Sequence, residues 1–185
     1  GKPPALGKRI AVIGGGSAAM DVARSARRAG HAVTVLSLEA EEQMPAQREE
    51  VVEAREEGVV LIDGMMLRLA ARDGAQLRLD CVRVKFDHGR VDVLPGIEFQ
   101  LETDALVTAI GQDAQLAPLP SLARTGALIW TDARGETSSV GVFAGGDAAS
   151  MQRFVTHAIG AAERAALEID RWLQGEEAAP RPAQR

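Results

Sequence analysis

The sequence is poor in cysteine. Cys81 is the one cysteine among 185 residues, which excludes an internal disulfide, a C-x-x-C pair and a metal cluster held by several thiolates. We therefore expect no metal site in the chain. Cys81 lies in a stretch of alternating apolar residues, so we predict a packed core residue rather than a reactive thiol.

Long apolar runs and basic runs are also absent. No apolar stretch reaches membrane-spanning length, and residues 1–8 lack the apolar centre of a signal peptide. The formal net charge is −5, which argues against nucleic acid as a partner. With 46% hydrophobic and 25% charged residues, the chain is expected to be globular and cytoplasmic. Its length suits one domain, or one domain and part of another.

The most informative feature that is present is a glycine turn. Residues 9–13 form a short apolar run that predicts a strand, three glycines follow, and residues 17–29 have helical spacing. This is the order of the dinucleotide fingerprint G-x-G-x-x-G/A, in which the free amides at the helix start meet a pyrophosphate. The candidate residues are Gly14, Gly15, Gly16, Ser17, Ala18 and Ala19. The alternative is a purely structural strand-to-helix turn.

Residues 32–110 predict a parallel α/β sheet with an antiparallel meander attached. A strand at 32–36, a helix at 44–57 and a strand at 59–62 are typical of parallel crossover units. Residues 65–102 alternate apolar and polar side chains between turn residues, which predicts antiparallel strands. The predicted turns are Asp73-Gly74, Asp87-His88-Gly89 and Pro95-Gly96. Residues 104–110 then predict a parallel strand that ends at a ligand crevice.

Pro118 and Pro120 mark a boundary, after which the pattern differs. We predict a strand at 127–130, a short buried strand at 141–144 and a helix at 154–173. The apolar residues expected on one face of this helix are Val155, Ile159, Ala162, Ala166, Ile169 and Leu173. Residues 176–185 are polar and contain proline, so we expect a disordered tail.

A second candidate site follows the predicted strand at 141–144. Gly145-Gly146-Asp147 precedes the helix, and an aspartate at a strand end can accept hydrogen bonds from sugar hydroxyls. The backbone amides at the start of the helix can donate hydrogen bonds to a partly negative carbonyl oxygen of a ligand. By spacing alone, a plain turn is the favoured explanation of this segment.

Several segments carry a family resemblance. They are VIGGGSAAMDVARSARRAG, MPAQREEVVEAREEGV, AIGQ, and GVFAGGDAAS followed by VTHAIGAAERAALEI. In this order they resemble the small subunit of glutamate synthase and the matching part of dihydropyrimidine dehydrogenase, over about residues 8–174. These are flavoproteins in which an NAD(P)H-binding domain is inserted into an FAD-binding domain. The resemblance implies the inserted domain plus the closing FAD segment.

The resemblance implies a division of the chain and a set of cofactor contacts. We expect a Rossmann-like three-layer NAD(P)-binding domain at 8–115, with a parallel sheet and an appended antiparallel meander, and a partial FAD-type subdomain at 116–175. For the nicotinamide dinucleotide, the pyrophosphate would be contacted by Gly14, Gly16 and Ala19, and the nicotinamide side by Ala109, Ile110 and Gly111. For FAD, the pyrophosphate and ribitol would be contacted by Gly146 and Asp147, and the flavin ring by Val155 and Thr156.

Two departures from the family change these expectations. The opening FAD segment and the iron–sulfur ligands of the family are not in the sequence, so we expect an incomplete FAD site in this chain. The two arginines that hold the NADPH 2′-phosphate in glutamate synthase subunits are replaced by Ser37-Leu38-Glu39. This replacement predicts NADH in preference to NADPH.

The predicted function is the NAD(P)H-binding part of a flavin-dependent oxidoreductase that transfers hydride between a nicotinamide cofactor and FAD. Electrons would pass on to an iron–sulfur or other electron-transfer partner. No catalytic side chain is predicted, because the cofactors carry the chemistry. The alternatives are a nucleotide-binding module without turnover and a fragment that is inactive alone.

Overall fold

The computed structural model describes residues 6–175, so the predicted disordered tail at 176–185 lies outside the described residues. The chain divides into two compact units between Gly111 and Gln112. The elements of the first unit, in chain order, are β1 (Arg9–Ile13), α1 (Ser17–Arg28), β2 (Ala32–Leu36), a 3-10 turn (Glu41–Gln43), α2 (Arg48–Glu56), β3 (Val60–Ile62), β4 (Met65–Asp73), β5 (Gln76–Asp87), β6 (Arg90–Thr103) and β7 (Ala105–Thr108).

The first unit has three layers. Its parallel sheet has the strand order β3-β2-β1-β7, and the antiparallel sheet has the order β4-β5-β6. Helices α1 and α2 share a core with one face of the parallel sheet, while residues of β4 and β5 pack with its other face. The α/β class with a parallel sheet and an appended meander is therefore confirmed.

Alternation along the strands creates the two cores. In β1, Ile10 and Val12 pack with the helices, and Ala11, between them, packs with the meander. Successive side chains of a strand point to opposite faces, so a strand covered on both sides is apolar throughout. On the meander side, Leu79 and Cys81 are almost fully buried. The prediction that Cys81 is packed is confirmed, and burial raises the pKa of its thiol, with a smaller contribution from Asp80.

The start of β1 is held by the residues that join β6 to β7. The carboxylate of Asp104 accepts hydrogen bonds from the backbone amides of Lys8 at 2.6 Å and Arg9 at 2.9 Å. The buried Thr103 hydroxyl lies 2.8 Å from the carbonyl oxygen of Arg9, to which it donates. These bonds hold the amino-terminal end of β1, the strand that leads to the glycine turn.

Two predicted elements of the first unit have different bounds. The helix predicted at 44–57 begins only at Arg48, because Gln47 caps it in a box with Glu50, and a 3-10 turn precedes it. Pro95-Gly96 does not separate two strands. Residues 94–97 form an irregularity inside β6, since Val82 pairs with Glu98 while Val84 pairs with Val93.

The second unit contains β8 (Arg124–Thr125), β9 (Leu128–Ile129), a 3-10 turn (Gly146–Ala148) and α3 (Val155–Leu173). The buried strand predicted at 141–144 is absent from this part of the described chain. Glu136 and Phe143 form a single antiparallel bridge, and Val142 is 40% exposed. The positive φ values of Gly141 (76°) and Gly146 (63°) bend the backbone at both ends of this segment, so it does not form an extended, paired strand.

The packed side of α3 is not the predicted one. Val155 is 76% exposed and Ile159 62% exposed, whereas Ala165 is buried. Alanines lie against the glycine turns: a Cβ added to Gly145 would lie 3.2 Å from the Cβ of Ala161, and one added to Gly135 would lie 3.3 Å from the Cβ of Ala165. A turn that approaches a helix this closely requires small residues on the helix, so the alanine side packs and the larger apolar residues stay outside.

Candidate dinucleotide-binding site

The glycine turn links β1 to α1, and Gly14 is required by the packing around it. Its φ is 137°, and an added Cβ would lie 2.3 Å from the carbonyl oxygen of Ala109, just past β7. Ala19 is fully buried beneath it, and a small residue here keeps the helix close to the sheet. Gly14 therefore lets the turn pass between β7 and α1.

Gly16 has no such internal reason to be glycine. Its φ of −89° and ψ of 172° are ordinary for any residue. An added Cβ would meet no atom within 4 Å. The residue thus borders open space at the N-terminus of α1, which a side chain at this position would fill.

The start of α1 offers amides to that space. Gly16 is the N-cap and supplies no side-chain cap, and the first turn has no acidic residue. The amides of Ala19 and Met20 donate to the carbonyl oxygen of Gly16, while the amides of Ser17 and Ala18 have no carbonyl partner within the helix. Unpaired amides together with the helix dipole favour an anion. The residues present therefore fit a pyrophosphate.

The end of β2 comes to the same turn. A Cβ added to Gly15 would lie 2.5 Å from the Ser37 hydroxyl oxygen and 2.8 Å from Oε2 of Glu39. Leu38 between them is half-buried. The segment 37–39 and the turn are thus brought together. Sequence reasoning missed the role of Gly15, although the S-x-E spacing at a strand end was the signal that could have indicated it.

The segment after β7 lies on the other side of the turn. The amide of Ala109 donates to the carbonyl oxygen of Ile13 at 2.8 Å, and its own carbonyl oxygen lies against Gly14. Ile110 is 75% exposed, and Gly111 has a φ of 84°. Ala109 is therefore part of the wall of the turn, while Ile110 and Gly111 continue beyond the strand end.

The second unit holds the remaining candidates. Gly146 begins the 3-10 turn at a φ of 63° and lies beside α3, since an added Cβ would be 3.6 Å from the Cβ of Ala158. Asp147 follows with an exposed side chain. Val155 and Thr156, in the first turn of α3, are exposed as well. Asp147, Val155 and Thr156 are therefore exposed, and Gly146 is half-buried.

Arg153 is a residue that sequence reasoning missed. It precedes α3, and its Nη1 donates to the carbonyl oxygen of Gln112, while its Nη2 lies 3.6 Å from Oδ1 of Asp113. Its Nε is buried and has no hydrogen-bond partner within the described residues. The side chain anchors the loop before α3 to the first residues of the second unit.

Comparison with protein families identifies the group. A family model described as pyridine nucleotide-disulphide oxidoreductase matches residues 2–165. The chain belongs to this family. With Cys81 as its one cysteine, the chain does not itself contain the cysteine pair of a disulphide centre.

The curated relatives are longer proteins. The chain is 38% identical, over 93% of its length, to the NADP(+)-dependent formate dehydrogenase subunit beta of Moorella thermoacetica and covers 26% of it. It is 33% identical, over 89% of its length, to the NAD-dependent dihydropyrimidine dehydrogenase subunit PreT of Escherichia coli and covers 37% of it. It is 31% identical, over 91% of its length, to the glutamate synthase [NADPH] small chain of Escherichia coli and covers 39% of it. The chain thus spans less than half of each, and the resemblance predicted from the sequence is confirmed.

Solved structures support the fold. The chain aligns with the thioredoxin reductase of T. acidophilum at a TM-score of 0.75 and 24% identity, over 89% of this chain and 52% of that one. This match supports the Rossmann-type architecture. Between residues 6 and 175, no helix combines the length and the apolar character needed to cross a membrane.

Proposed function

We propose that the chain is the NAD(P)H-binding part of a flavin-dependent oxidoreductase, similar to the small subunit of glutamate synthase, in which hydride passes between a nicotinamide cofactor and FAD. The observation that carries the proposal is the start of α1, where Gly16 has an ordinary φ, borders open space and is followed by amides without a partner in the helix. Family membership is consistent with both cofactors. The first unit would hold the nicotinamide dinucleotide, and residues 116–175 would contribute part of the FAD site.

The residues would act by holding the cofactors. The amides of Ser17 and Ala18 would bind the pyrophosphate, and Ala109, Ile110 and Gly111 would line the nicotinamide side. In the second unit, Gly146 and Asp147 would contact the FAD pyrophosphate and ribitol, with Val155 and Thr156 near the flavin ring.

The bound cofactors would supply the hydride chemistry. The contribution of the protein would be orientation, which converts an encounter of two cofactors into a reaction within one complex. For this reason we assign no catalytic side chain. The relatives named above are subunits of larger enzymes, and we propose that electrons pass on to an iron–sulfur or other partner domain or subunit. The cytoplasmic location and the lack of a nucleic-acid partner stay predictions.

We further propose that NADH is preferred to NADPH. The carboxylate of Glu39 lies at the turn where the adenosine ribose would bind, and at surface dielectric it would repel a 2′-phosphate by roughly 1 kcal/mol. The nearby cations of α2 are already paired, since Arg48 and Arg55 both contact Glu41. The names of the relatives include both NAD and NADP, so they do not decide the choice. Calorimetric titration with both dinucleotides tests it, and equal or tighter NADPH binding would contradict the preference.

The pyrophosphate site is tested by Gly16→Ala. The added methyl group would enter the open space without touching the protein, so we expect a change in stability of about 1 kcal/mol or less and a loss of NADH affinity of roughly tenfold or more, equivalent to about 1.4 kcal/mol. Isothermal titration calorimetry measures the affinity. Gly160→Ala in α3, where the nearest atom is an arginine side chain, is the matched control and should bind as the unaltered chain does. Unchanged binding by Gly16→Ala would refute the site.

The alternatives are separated by adding FAD. The chain is mixed with FAD and NADH without oxygen, and flavin absorbance is followed against the same mixture without protein. Reduction faster than in the protein-free mixture supports the oxidoreductase. Nucleotide binding without faster reduction favours a binding module or a part that is inactive alone, and the absence of both would contradict the proposal.

A further inference from the structure

The second glycine of the turn is explained by the side chains beside it. Gly15 does not have a positive φ, so the backbone alone does not require glycine. An added Cβ would nevertheless lie 2.5 Å from the Ser37 oxygen, 2.8 Å from Oε2 of Glu39 and 3.4 Å from Cγ of Met44. Real Cβ atoms essentially never lie within 3.0 Å of another heavy atom, so the first two of these distances would force Ser37 or Glu39 to move. Gly15 therefore provides the room that Ser37 and Glu39 occupy.

Ser37 holds Glu39 in this place by two hydrogen bonds. The Ser37 hydroxyl donates to Oε2 of Glu39 at 2.7 Å and accepts from the backbone amide of Glu39 at 3.2 Å. Ser37 is fully buried, and its backbone bonds to Ile62 and Met65 tie it to the neighbouring strands. A buried hydroxyl with a single rotatable bond is a rigid support for a longer, half-exposed carboxylate.

One carboxylate oxygen is thus used and the other stays available. Among residues 6–175, the Glu39 carboxylate accepts a hydrogen bond from Ser37 at Oε2 and none at Oε1, and no cation is paired with it. A fixed carboxylate with one free oxygen suits a vicinal diol, which donates hydrogen bonds, and disfavours a phosphate ester at the same place. Without Ser37 the side chain would have to give up rotational freedom on binding.

We propose that Ser37 is a positioning residue that acts through Glu39, and that this pair, accommodated by Gly15, makes the site selective for a dinucleotide with an unmodified ribose diol. The inference rests on the proposed dinucleotide function and deepens it. It assigns selectivity to a hydroxyl that does not itself touch the ligand.

The test is a double-mutant cycle on the whole chain, with NADH and NADPH affinities measured by calorimetry for the unaltered chain, Ser37→Ala, Glu39→Gln and the double variant. We expect Ser37→Ala to weaken NADH binding roughly three- to tenfold while NADPH binding is unchanged or improved. Glu39→Gln should lower the NADH-to-NADPH affinity ratio at least as much. Ser37→Ala in the Glu39→Gln background should have no further effect, because the hydroxyl acts through the carboxylate.

Other outcomes separate the two proposals. If Ser37→Ala lowers both affinities equally, or if its effect adds fully to that of Glu39→Gln, Ser37 has only a structural role and this inference is wrong. If the unaltered chain binds neither dinucleotide, the proposed function fails and the inference with it. Ser37→Cys keeps the volume but offers a weak donor. Ser37→Cys therefore replaces Ser37→Ala if the alanine variant does not fold. If the NADH-to-NADPH affinity ratio of Ser37→Cys equals that of the unaltered chain, the inference is also contradicted.

Discussion

The two units use their apolar residues differently. In the first, Ile10, Val12 and Val35 are almost fully inaccessible, because the strands are covered on both faces. In the second, the buried cluster consists of Leu116, Leu122 and Ile129, and most large apolar residues of α3 are exposed. Apolar area removed from water supplies most of the favourable free energy of folding. Burial of apolar side chains thus stabilises the first unit strongly, whereas the apolar residues of α3 contribute little to the second.

The largest expected difference between the units comes from the same substitution in each. Ile10→Ala in β1, at 2% exposure, should lower the free energy of unfolding by about 2–5 kcal/mol. Ile159→Ala in α3, at 62% exposure, should change it by no more than about 0.5 kcal/mol. Urea unfolding followed by circular dichroism measures both.

The two tryptophans give a probe of the second unit alone, since Trp130 and Trp172 both follow Gln112. Tryptophan fluorescence should therefore report little change for either variant if the units unfold independently. A cost for Ile159→Ala as large as that for Ile10→Ala would show that the exposed side of α3 is covered in solution, and the comparison would fail.

A smaller difference is expected for glycine turns. Gly14→Ala puts a methyl group 2.3 Å from a backbone oxygen at a φ of 137°, so it should cost about 2–4 kcal/mol. Gly146→Ala has a φ of 63° and its nearest atom at 3.6 Å, so it should cost about 1–2 kcal/mol from backbone strain alone. Thermal unfolding ranks the two. Equal costs would mean that the backbone at Ala109, just past β7, moves away from the added methyl group.

The smallest effect is the acid dependence of the first unit. Hydrogen bonds from the amide of Arg9 and, to a smaller extent, of Lys8 lower the pKa of Asp104 below its ordinary value. A lowered pKa in the folded state stabilises the protein above the unfolded pKa, and this contribution is lost as the pH falls through the lower, folded value.

Asp104→Asn should therefore be less stable than the unaltered chain at neutral pH, and the difference should shrink below about pH 4. Urea midpoints by circular dichroism between pH 2 and 7 measure this. The tryptophan signal should not differ, because the partners of Asp104 lie in the first unit. A difference that is constant with pH would contradict the role of the charge.

Local patterns predicted much of the first unit because its elements follow their own periodicity. The run 9–13, the glycine turn and the helix after it appear where the spacing placed them. The bulge at Pro95-Gly96 was predicted as a turn, since a positive φ at Gly96 serves either structure and only pairing with β5 decides between them.

Contacts between distant residues could not be predicted in the same way. The bond between Arg9 and Asp104 spans 95 positions, and the sequence contains no local sign of it. The prediction of the packed side of α3 was also wrong. Burial there depends on how closely the glycine turns approach the helix, and not on which side is more apolar.

By itself, the amino-acid sequence determined the class of fold, the family and the place of the glycine turn, since these depend on residues close together in the chain. Only the tertiary structure decided what each glycine is for. Gly14 makes room for the backbone of Ala109, Gly15 makes room for the side chains of Ser37 and Glu39, and a Cβ added to Gly16 would meet no atom of the described chain within 4 Å. The physical reason is that the effect of an absent side chain depends on the atoms or the empty space around it, and the folded chain determines both.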